Sequence, residues 1–540
     1  MRKSFLRLLF LVIVIPTFSQ SAKVSVVKNN DGMKLVVNGE DFMINGMNWD
    51  YIPIGTNTIN ARFWEKSDDI IKAGLDTEMS LLKNMGVNVI RQYTGVPAKW
   101  IQYIYENYGI YTMLNHSFGR YGLTLDGVWT PVTIYDDPKT QEFLLSEVNN
   151  LVKEYKDTPG LLMYLLGNEN NYGLFWQGAE TEDFPDDEEK KKFIGEKRGR
   201  PMYRLMNDAA KAMKSVDTSH PVAICNGDVL FIDIVAEECT DVDIYGTNTY
   251  RGVSFTDMFD VVKEKLDIPL MFTEFGADAF NAIDNKEDQK AQAYYMVGNW
   301  KEIYENAAGL GKTGISIGGF TFQFSDGWWK FGFDDRKNAD LHDNNASWEN
   351  GGYSIDLVPG SNNMNEEWFG ICAKGSTNER GLYDLYPRAA YYALKEAHQL
   401  NPYDDGVTAA FVADYFGNIQ LIDHVLRARG DKAALGGSDT QKIRISQLTA
   451  KFTTFNTGGR LITTPETADP NTNTYPNQLG FDHMQSYFIG IEGNPAPNMR
   501  ANVNFNVIGN VAENPIDEIF YENRSRAVTV NTDDGNVRLE

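Results

Sequence analysis

The chain has 540 residues, of which 42% are hydrophobic and 23% are charged, a composition typical of folded proteins rather than of disordered or fibrous ones. This length allows about two to four domains, although an α/β barrel can occupy about 250 residues or more as one domain. The 50 Lys and Arg residues against 74 Asp and Glu give a net charge of −24, so the surface repels phosphate backbones and anionic lipids. We therefore expect neither nucleic acid nor a membrane surface as a partner, whereas neutral polysaccharides remain compatible.

The first twenty residues have the pattern of a secretory signal peptide. Arg2 and Lys3 begin a basic segment, an apolar run follows at 8–15, and small polar residues follow at 17–21. The apolar run is too short to span a bilayer comfortably, and no cysteine near its end could carry a lipid anchor. We predict that residues 1–20 are removed and that the mature protein is periplasmic or secreted, without membrane insertion after cleavage.

Between residues 21 and 400, short apolar runs alternate with helical patterns, which is typical of βα units. Residues 68–85 repeat apolar side chains at helical spacing, with Ser67 as the N-cap and Gly86 as the stop. This alternation favours a (β/α)8 TIM barrel over a doubly wound sheet. The predicted strands lie at 41–49, 87–93, 110–117, 161–168, 221–226, 242–248, 269–274 and 317–324, after a small hairpin at 24–27 and 34–37.

The composition changes after residue 400. Residues 401–540 lose the helical periodicity and gain Thr, Asn, Gly and Pro, with alternating runs such as KFTTFNT and ANVNFNVIG. We predict that 401–540 forms a second, β-rich accessory domain, most simply a β-sandwich.

Two glutamates stand at the ends of predicted barrel strands. Glu169 follows the apolar run LLMYLLGN, and Glu274 follows IPLMFT. Because active sites of such barrels lie at the C-terminal ends of the strands, both carboxylates are expected at one mouth. A pair of carboxylates can perform retaining glycoside hydrolysis when they lie about 5–5.5 Å apart.

The order of these motifs resembles the clan A glycoside hydrolases, and most closely the barrel domain of glycoside hydrolase family 2. LGNEN (166–170) matches the clan's acid/base motif after strand 4, and FTEFG (272–276) matches the nucleophile motif after strand 7. The segments at 37–50 and 381–397 are similar to the family's entry into strand 1 and its exit after strand 8. The resemblance implies Glu169 as the acid/base, Glu274 as the nucleophile and a retaining mechanism. The chain departs from the family pattern because the barrel segment follows almost directly on the predicted signal peptide, without an N-terminal jelly-roll or immunoglobulin-like domain.

Further polar residues are predicted to complete the site. Arg91, at the end of strand 2, can hold Glu274 ionised and oriented. Asn168 is expected to bind the 2-hydroxyl of the sugar, a contact that strengthens in the transition state. By the resemblance, Tyr250 matches the tyrosine after strand 6 that hydrogen-bonds the nucleophile, with Tyr245 and Asn248 as competing positions.

His116 and two tryptophans are predicted sugar contacts. His116 ends strand 3, although a structural role fits it equally well. Trp49 follows strand 1, and Trp328, rather than its neighbour Trp329, is expected to face the substrate after strand 8. Indole rings pack well against the C–H faces of pyranose rings.

Neither a metal nor an organic cofactor is predicted. The three cysteines, Cys225, Cys239 and Cys372, are scattered and indicate neither a disulfide framework nor a thiolate metal cage. The sequence also contains no HExxH motif and no EF-hand loop.

The sequence therefore predicts a retaining β-glycoside hydrolase that acts on a neutral poly- or oligosaccharide. Two alternatives remain open, a β-glucan transglycosylase with the same chemistry and a non-catalytic carbohydrate-binding protein. The identity of the sugar, its linkage and the oligomeric state are not determined by the sequence.

Overall fold

The structure, a computed structural model, describes residues 21–93, 95–175, 187–282, 285–330, 341–342, 365–429, 444–462, 478–496, 499–510, 528–532 and 535–539. The predicted signal peptide therefore lies outside the described residues. The chain divides into two compact units, Met1–Ala434 and Leu435–Glu540.

A small antiparallel sheet opens the first unit and confirms the predicted hairpin. Its three strands are β1 (Val24–Asn29), β2 (Gly32–Val37) and β3 (Glu40–Phe42). Leu35 and Val37 on β2 belong to the same apolar cluster as Ile44 and Val89 from the first two barrel strands. Since the first barrel strand starts directly after β3, this sheet closes the N-terminal end of the barrel.

The predicted barrel is confirmed. Eight parallel strands form a closed ring in which each strand pairs with the next along the chain and the last pairs with the first. These strands are β4 (Ile44–Asn48), β5 (Val89–Tyr93), β6 (Tyr111–His116), β9 (Leu161–Leu166), β10 (Val222–Gly227), β11 (Ile244–Asn248), β12 (Leu270–Phe275) and β15 (Ser316–Thr321). Short two-stranded sheets lie in the connecting segments: β7 (Leu123–Leu125) with β8 (Val128–Thr130), β13 (Phe280–Asn281) with β14 (Lys286–Glu287), and β16 (Cys372–Lys374) with β17 (Leu385–Pro387).

Helices surround the barrel, and the first one shows how the sequence specifies them. Asp68–Met85 is helical between Ser67 and Gly86, as predicted, and its apolar stripe is buried against the barrel. Gly86 has a φ of 92°, a left-handed conformation that favours glycine at the end of a helix. The helices are α1 (Asp68–Met85), α2 (Ala98–Tyr108), α3 (Pro138–Tyr155), α4 (Asn170–Gly173), α5 (Glu188–Ile194), α6 (Arg200–Val216), α7 (Ile232–Glu238), α8 (Met258–Lys265), α9 (Gln289–Glu305), α10 (Ala389–Ala397), α11 (Ala409–Gly417) and α12 (Leu421–Ala428). Among the residues that the structure describes, no helix has the length and apolar character needed to cross a bilayer.

The barrel unit continues beyond the predicted boundary at residue 400. Helices α11 and α12 follow that residue and pack on the barrel helices, with Phe416 against Tyr304 at a ring separation of 5.4 Å. His424 also contacts the Glu396 carboxylate at 2.8 Å. The predicted loss of helical pattern after residue 400 was wrong for this segment, because Val412 and Phe416 repeat at helical spacing and are buried.

The second unit contains a five-stranded antiparallel sheet. Its strands are β18 (Arg444–Ile462), β19 (Gln478–Ala496), β20 (Met499–Asn510), β21 (Val528–Thr532) and β22 (Gly535–Leu539), paired in chain order. The predicted β-rich character is confirmed. The strands described here form one sheet, so the sandwich stays a prediction.

Candidate active site

The C-terminal mouth of the barrel contains a buried arginine with an unusual number of partners. Arg91, on the second barrel strand, is fully buried. Its guanidinium donates to the Asn115 side-chain oxygen at 2.6 Å and 3.0 Å and to that of Asn168 at 2.7 Å. A further bond of 2.7 Å joins Nη1 to Oε1 of Glu274. A buried cation is stable only when its donors are matched in this way, so Arg91 fixes the positions of all three side chains.

Glu274 lies on β12, the seventh barrel strand, and both of its carboxylate oxygens have donors. Arg91 donates to Oε1, and the Tyr250 hydroxyl donates to Oε2 at 3.0 Å. Burial, together with the negative charges of Glu274, Glu366 and Glu169, raises the pKa of Tyr250 well above its usual value. The phenol therefore stays protonated and keeps donating. Two donors therefore orient this carboxylate, and the hydrogen bond expected from Tyr250 is present.

Glu169 directly follows β9, the fourth strand, and is held differently. Its carboxylate accepts a hydrogen bond of 3.0 Å from the Asn248 side-chain amide. The backbone of Glu169 has a φ of 55°, a left-handed conformation that costs a non-glycine residue about 1–2 kcal/mol. It is held there from both sides, because its N–H donates to the Cys225 carbonyl and its carbonyl accepts from the Tyr172 N–H. Strain maintained at one carboxylate in a polar mouth is typical of functional positions.

Asn248 contacts Glu169 directly and is connected to Glu274 through Arg91. The sequence left the role of Asn248 open. While its amide donates to Glu169, its side-chain oxygen accepts from Thr273 at 2.7 Å and lies 3.5 Å from Nη1 of Arg91. The Cys225 thiol also donates to this oxygen at 3.2 Å. Burial raises the pKa of Cys225 to about 11, so the thiol remains protonated as a donor and is not a nucleophile.

Asn168 lies in the mouth as predicted, and it connects the site to the loop after β6. Its side-chain amide donates to the Tyr121 hydroxyl at 2.8 Å, and its backbone carbonyl accepts from Nε of Arg120 at 2.9 Å. Neither Arg120 nor Tyr121 was among the site residues predicted from the sequence. The available signal was their place directly after a barrel strand.

Two predicted sugar contacts, His116 and Trp49, do not lie in the mouth. His116 accepts from the Phe118 N–H at 3.2 Å and contacts Glu147 of α3 at 3.4 Å, on the outer side of the barrel. Trp49 is buried, and its indole donates to Glu78 of α1 at 2.5 Å. Side chains alternate along a strand, so the residues pointing into the barrel are the preceding ones, Asn115 and Asn48.

Trp328 and Trp329 lie after the eighth strand, as expected. One face of the Trp328 indole stacks on His342 with 4.3 Å between ring centres. Trp329 lies beside Lys330, whose ammonium group is 4.8 Å from the centre of the indole ring. Although burial would lower the pKa of Lys330, the Glu366 and Glu274 carboxylates raise it above its usual value. Lys330 therefore stays charged near Glu274. Its contact with Trp329 places that indole beside the charged part of the mouth.

No group of three or more His, Cys, Asp or Glu side chains suited to a metal ion occurs within the described ranges. The side chains described around Glu169 and Glu274 are amides, tyrosines, the Arg91 guanidinium and the Lys330 ammonium group.

The family model of the glycosyl hydrolases family 2 TIM barrel domain matches residues 27–304, slightly more than half of the chain. The chain belongs to glycoside hydrolase family 2. The match includes seven of the eight barrel strands and both glutamates, and β15 closes the ring beyond it.

Several solved structures are similar to this chain at low sequence identity. The β-glucuronidase of Parabacteroides merdae is 15% identical with a TM-score of 0.42, and the match covers 70% of this chain and 40% of that one. A β-galacturonidase of Eisenbergiella tayi is 13% identical with a TM-score of 0.42, covering 71% of this chain and 55% of that one. A β-glucuronidase of Bacteroides uniformis is 11% identical with a TM-score of 0.45, covering 89% and 48%. The chain thus spans about half the length of these structures, and no curated protein matches its sequence.

The buried contact between Trp49 and Glu78 leads to a prediction about stability. Burial raises the pKa of Glu78 to about 8, even though the Trp49 hydrogen bond and Lys374 lower it. Between about pH 4.5 and 8 the unfolded chain releases a proton that the folded protein keeps, so stability contributed by this group falls as pH rises. Glu78→Gln has no such proton. In thermal unfolding, the Tm of Glu78→Gln minus the Tm of the unsubstituted protein should therefore be higher at pH 8 than at pH 5, by about 3 °C or more.

The exposed residue Glu142 on α3 provides the matched control. Glu142→Gln should leave the Tm difference from the unsubstituted protein the same at both pH values. A constant difference for Glu78→Gln as well would contradict the buried, protonated state of Glu78.

Proposed function

We propose that this protein is a retaining β-glycoside hydrolase in which Glu274 is the nucleophile and Glu169 the acid/base. The observation that carries the proposal is the unequal environment of the two carboxylates. Glu274 accepts from a buried cation, Arg91, and from a phenol, Tyr250, and these two donors fix the orientation of the carboxylate, as a nucleophile requires. Glu169 accepts from the neutral amide of Asn248, an arrangement compatible with a carboxyl group that must bind and release a proton.

The proposed reaction has two displacements. Glu274 attacks the anomeric carbon while the glycosidic C–O bond breaks and Glu169 gives its proton to the departing oxygen. Glu169, now ionised, then removes a proton from water, whose oxygen attacks the anomeric carbon of the glycosyl-enzyme and releases Glu274. Each displacement inverts the anomeric centre, so the product has the configuration of the substrate.

We propose a neutral sugar as the substrate. The net charge of −24 disfavours the approach of anionic polymers. Two further cationic side chains of the mouth already have partners within the protein, since Arg120 donates to the Asn168 carbonyl and Lys330 pairs with Glu366 at 3.3 Å. The Glu366 carboxylate therefore already balances the charge of Lys330.

A panel of aryl β-glycosides tests this proposal. It contains the glucoside, galactoside, mannoside and xyloside, together with the glucuronide and galacturonide named in the compared structures. We expect hydrolysis of at least one neutral member, and proton NMR should show the β-anomer of the free sugar as the first product. An α-anomer formed first would contradict the retaining mechanism, and turnover of the uronides alone would contradict the neutral substrate.

A further inference from the structure

A hairpin at the C-terminal mouth of the barrel carries exposed apolar side chains. Strands β7 and β8 follow the third barrel strand and are joined by the two-residue turn Asp126–Gly127, in which both residues have positive φ. Such turns match the twist of the two strands and define their register. Trp129 on β8 is 58% exposed, and its neighbour Val128 is also exposed. Trp129 therefore lies outside the apolar core, on a strand whose position is fixed by the turn, and its indole is open to a ligand.

This hairpin is attached to the backbone on both sides of Glu169. On the N-terminal side of Glu169, the backbone carbonyl of Asn168 accepts from Arg120, and the Asn168 side-chain amide donates to the Tyr121 hydroxyl. On the C-terminal side, the Asn170 side-chain amide donates at 2.9 Å both to the Phe118 carbonyl and to the Tyr135 hydroxyl. The loop therefore has a defined position relative to the proposed acid/base.

The exposed aromatic surface extends from the mouth to the hairpin. Tyr121 is 45% exposed while its hydroxyl contacts Asn168. The next residue, Gly122, has a φ of 89°, and a Cβ built on it would lie 2.6 Å from the Thr130 carbonyl oxygen and 3.2 Å from the Trp129 indole nitrogen. Glycine at this position therefore allows the end of β8, with the Trp129 indole, to approach the chain directly after Tyr121. We call Tyr121, Gly122 and Trp129 the aromatic ridge.

We propose that the aromatic ridge binds a second sugar unit of the substrate, on the leaving-group side of the bond that is cleaved. This inference rests on the proposed function, in which Glu169 contacts the glycosidic oxygen. The loop that carries the ridge is attached to both neighbours of Glu169, Asn168 and Asn170, and this attachment is our reason for placing the ridge on the side of the departing sugar. The substrate class is accordingly a neutral β-linked chain of at least two units rather than a glycoside of a small alcohol.

The chemistry of the ridge favours a sugar over a protein partner. A tryptophan offers a flat apolar face and one N–H donor, which suits a pyranose with C–H groups on its face and hydroxyls at its edge. A ridge of two aromatic side chains is also much smaller than the roughly 800 Å² that each partner contributes to a stable protein interface.

The test compares substrates of different length in Trp129→Ala and Trp129→Phe. The probes are the β-glycosyl fluorides of the panel's neutral sugars and cello-, laminari-, manno-, galacto- and xylo-oligosaccharides of two to five units. We expect kcat/KM of the oligosaccharides to fall about tenfold in Trp129→Ala, equivalent to about 1.4 kcal/mol, mainly through KM. The β-glycosyl fluorides, whose leaving group has no ring that could contact the ridge, should be unaffected, and Trp129→Phe should restore much of the loss.

The matched control is Phe411→Ala, which removes a half-exposed aromatic side chain from α11 on the outer helical layer. It should change neither class of substrate, and circular dichroism should show all three variants folded. If Trp129→Ala hydrolyses the oligosaccharides as fast as the unsubstituted protein does, the ridge proposal is wrong while the proposed function stands. If the unsubstituted protein hydrolyses no member of either set, the proposed function fails, and the ridge proposal fails with it.

Discussion

Glu274→Gln should reduce turnover of every substrate by about 10⁴-fold or more, because no substrate can form the glycosyl-enzyme without the nucleophile. The amide keeps the volume of the carboxylate and can still accept a hydrogen bond from Arg91, so the fold should be retained. Steady-state rates with both aryl glycosides and oligosaccharides measure the effect. Loss confined to one substrate class would contradict the role of Glu274.

Azide extends this test to stereochemistry. In Glu274→Ala, azide can enter the space left by the carboxylate and attack the anomeric carbon from that side, which gives an α-glycosyl azide from a β-glycoside. Glu305→Ala is a control matched in burial, since Glu305 is 8% and Glu274 7% exposed, and Glu305 contacts Lys312 rather than the mouth. Activity should survive in the control if the variant folds, as judged by circular dichroism.

Glu169→Ala should separate substrates according to their leaving groups. A sugar alkoxide needs a proton to depart, so kcat/KM for oligosaccharides should fall by about 10²–10⁴-fold. A dinitrophenyl glycoside has a leaving group that departs unaided, and the burst that reports formation of its glycosyl-enzyme should be largely preserved. The slow step then becomes hydrolysis, because the base that activates water is missing.

Added azide needs no base and should accelerate breakdown of this intermediate, giving a β-glycosyl azide. Glu147→Ala is the control, because Glu147 contacts His116 outside the barrel mouth. An α-glycosyl azide from Glu169→Ala and a β-glycosyl azide from Glu274→Ala would mean that the two roles are reversed.

The different contacts of the two glutamates explain why such different outcomes are expected from chemically identical side chains. Arg91 is buried and permanently charged, so its attraction for Glu274 is little screened by water. Glu169 lies in a strained backbone position and is partly exposed, where it can reach both substrate and water. The barrel brings the two together although 104 residues lie between them in the chain.

The fold and the strand positions of the two glutamates could be predicted because they depend on local patterns. Apolar runs of strand length end at Glu169 and Glu274, and parallel strands of a barrel bring their C-terminal ends to one mouth. The same logic located Arg91, whose strand is buried on both sides. The helix boundaries at Ser67 and Gly86 could also be predicted, since helix capping depends on residues that are neighbours in the chain.

The pattern that indicates the hairpin was also local, although no hairpin was predicted at this position. Asp126–Gly127 between LTL and VWT is a common pattern for a two-residue turn. Its importance became visible only through Asn168 and Asn170, which tie the loop to the segment around Glu169.

The sequence by itself determined the barrel, its strand order and the two glutamates at its mouth, because apolar runs and helical spacing are local patterns in the sequence. Only the tertiary structure decided which neighbouring residue at a strand end points into the barrel. Asn48 and Asn115 face the interior, whereas Trp49 and His116, one position later, face the helices. Successive side chains of a strand lie on opposite faces, so an assignment that is one residue off places a side chain in the wrong layer. The partners of Arg91 were likewise decided in three dimensions, since they come from separate strands and meet only when the barrel closes.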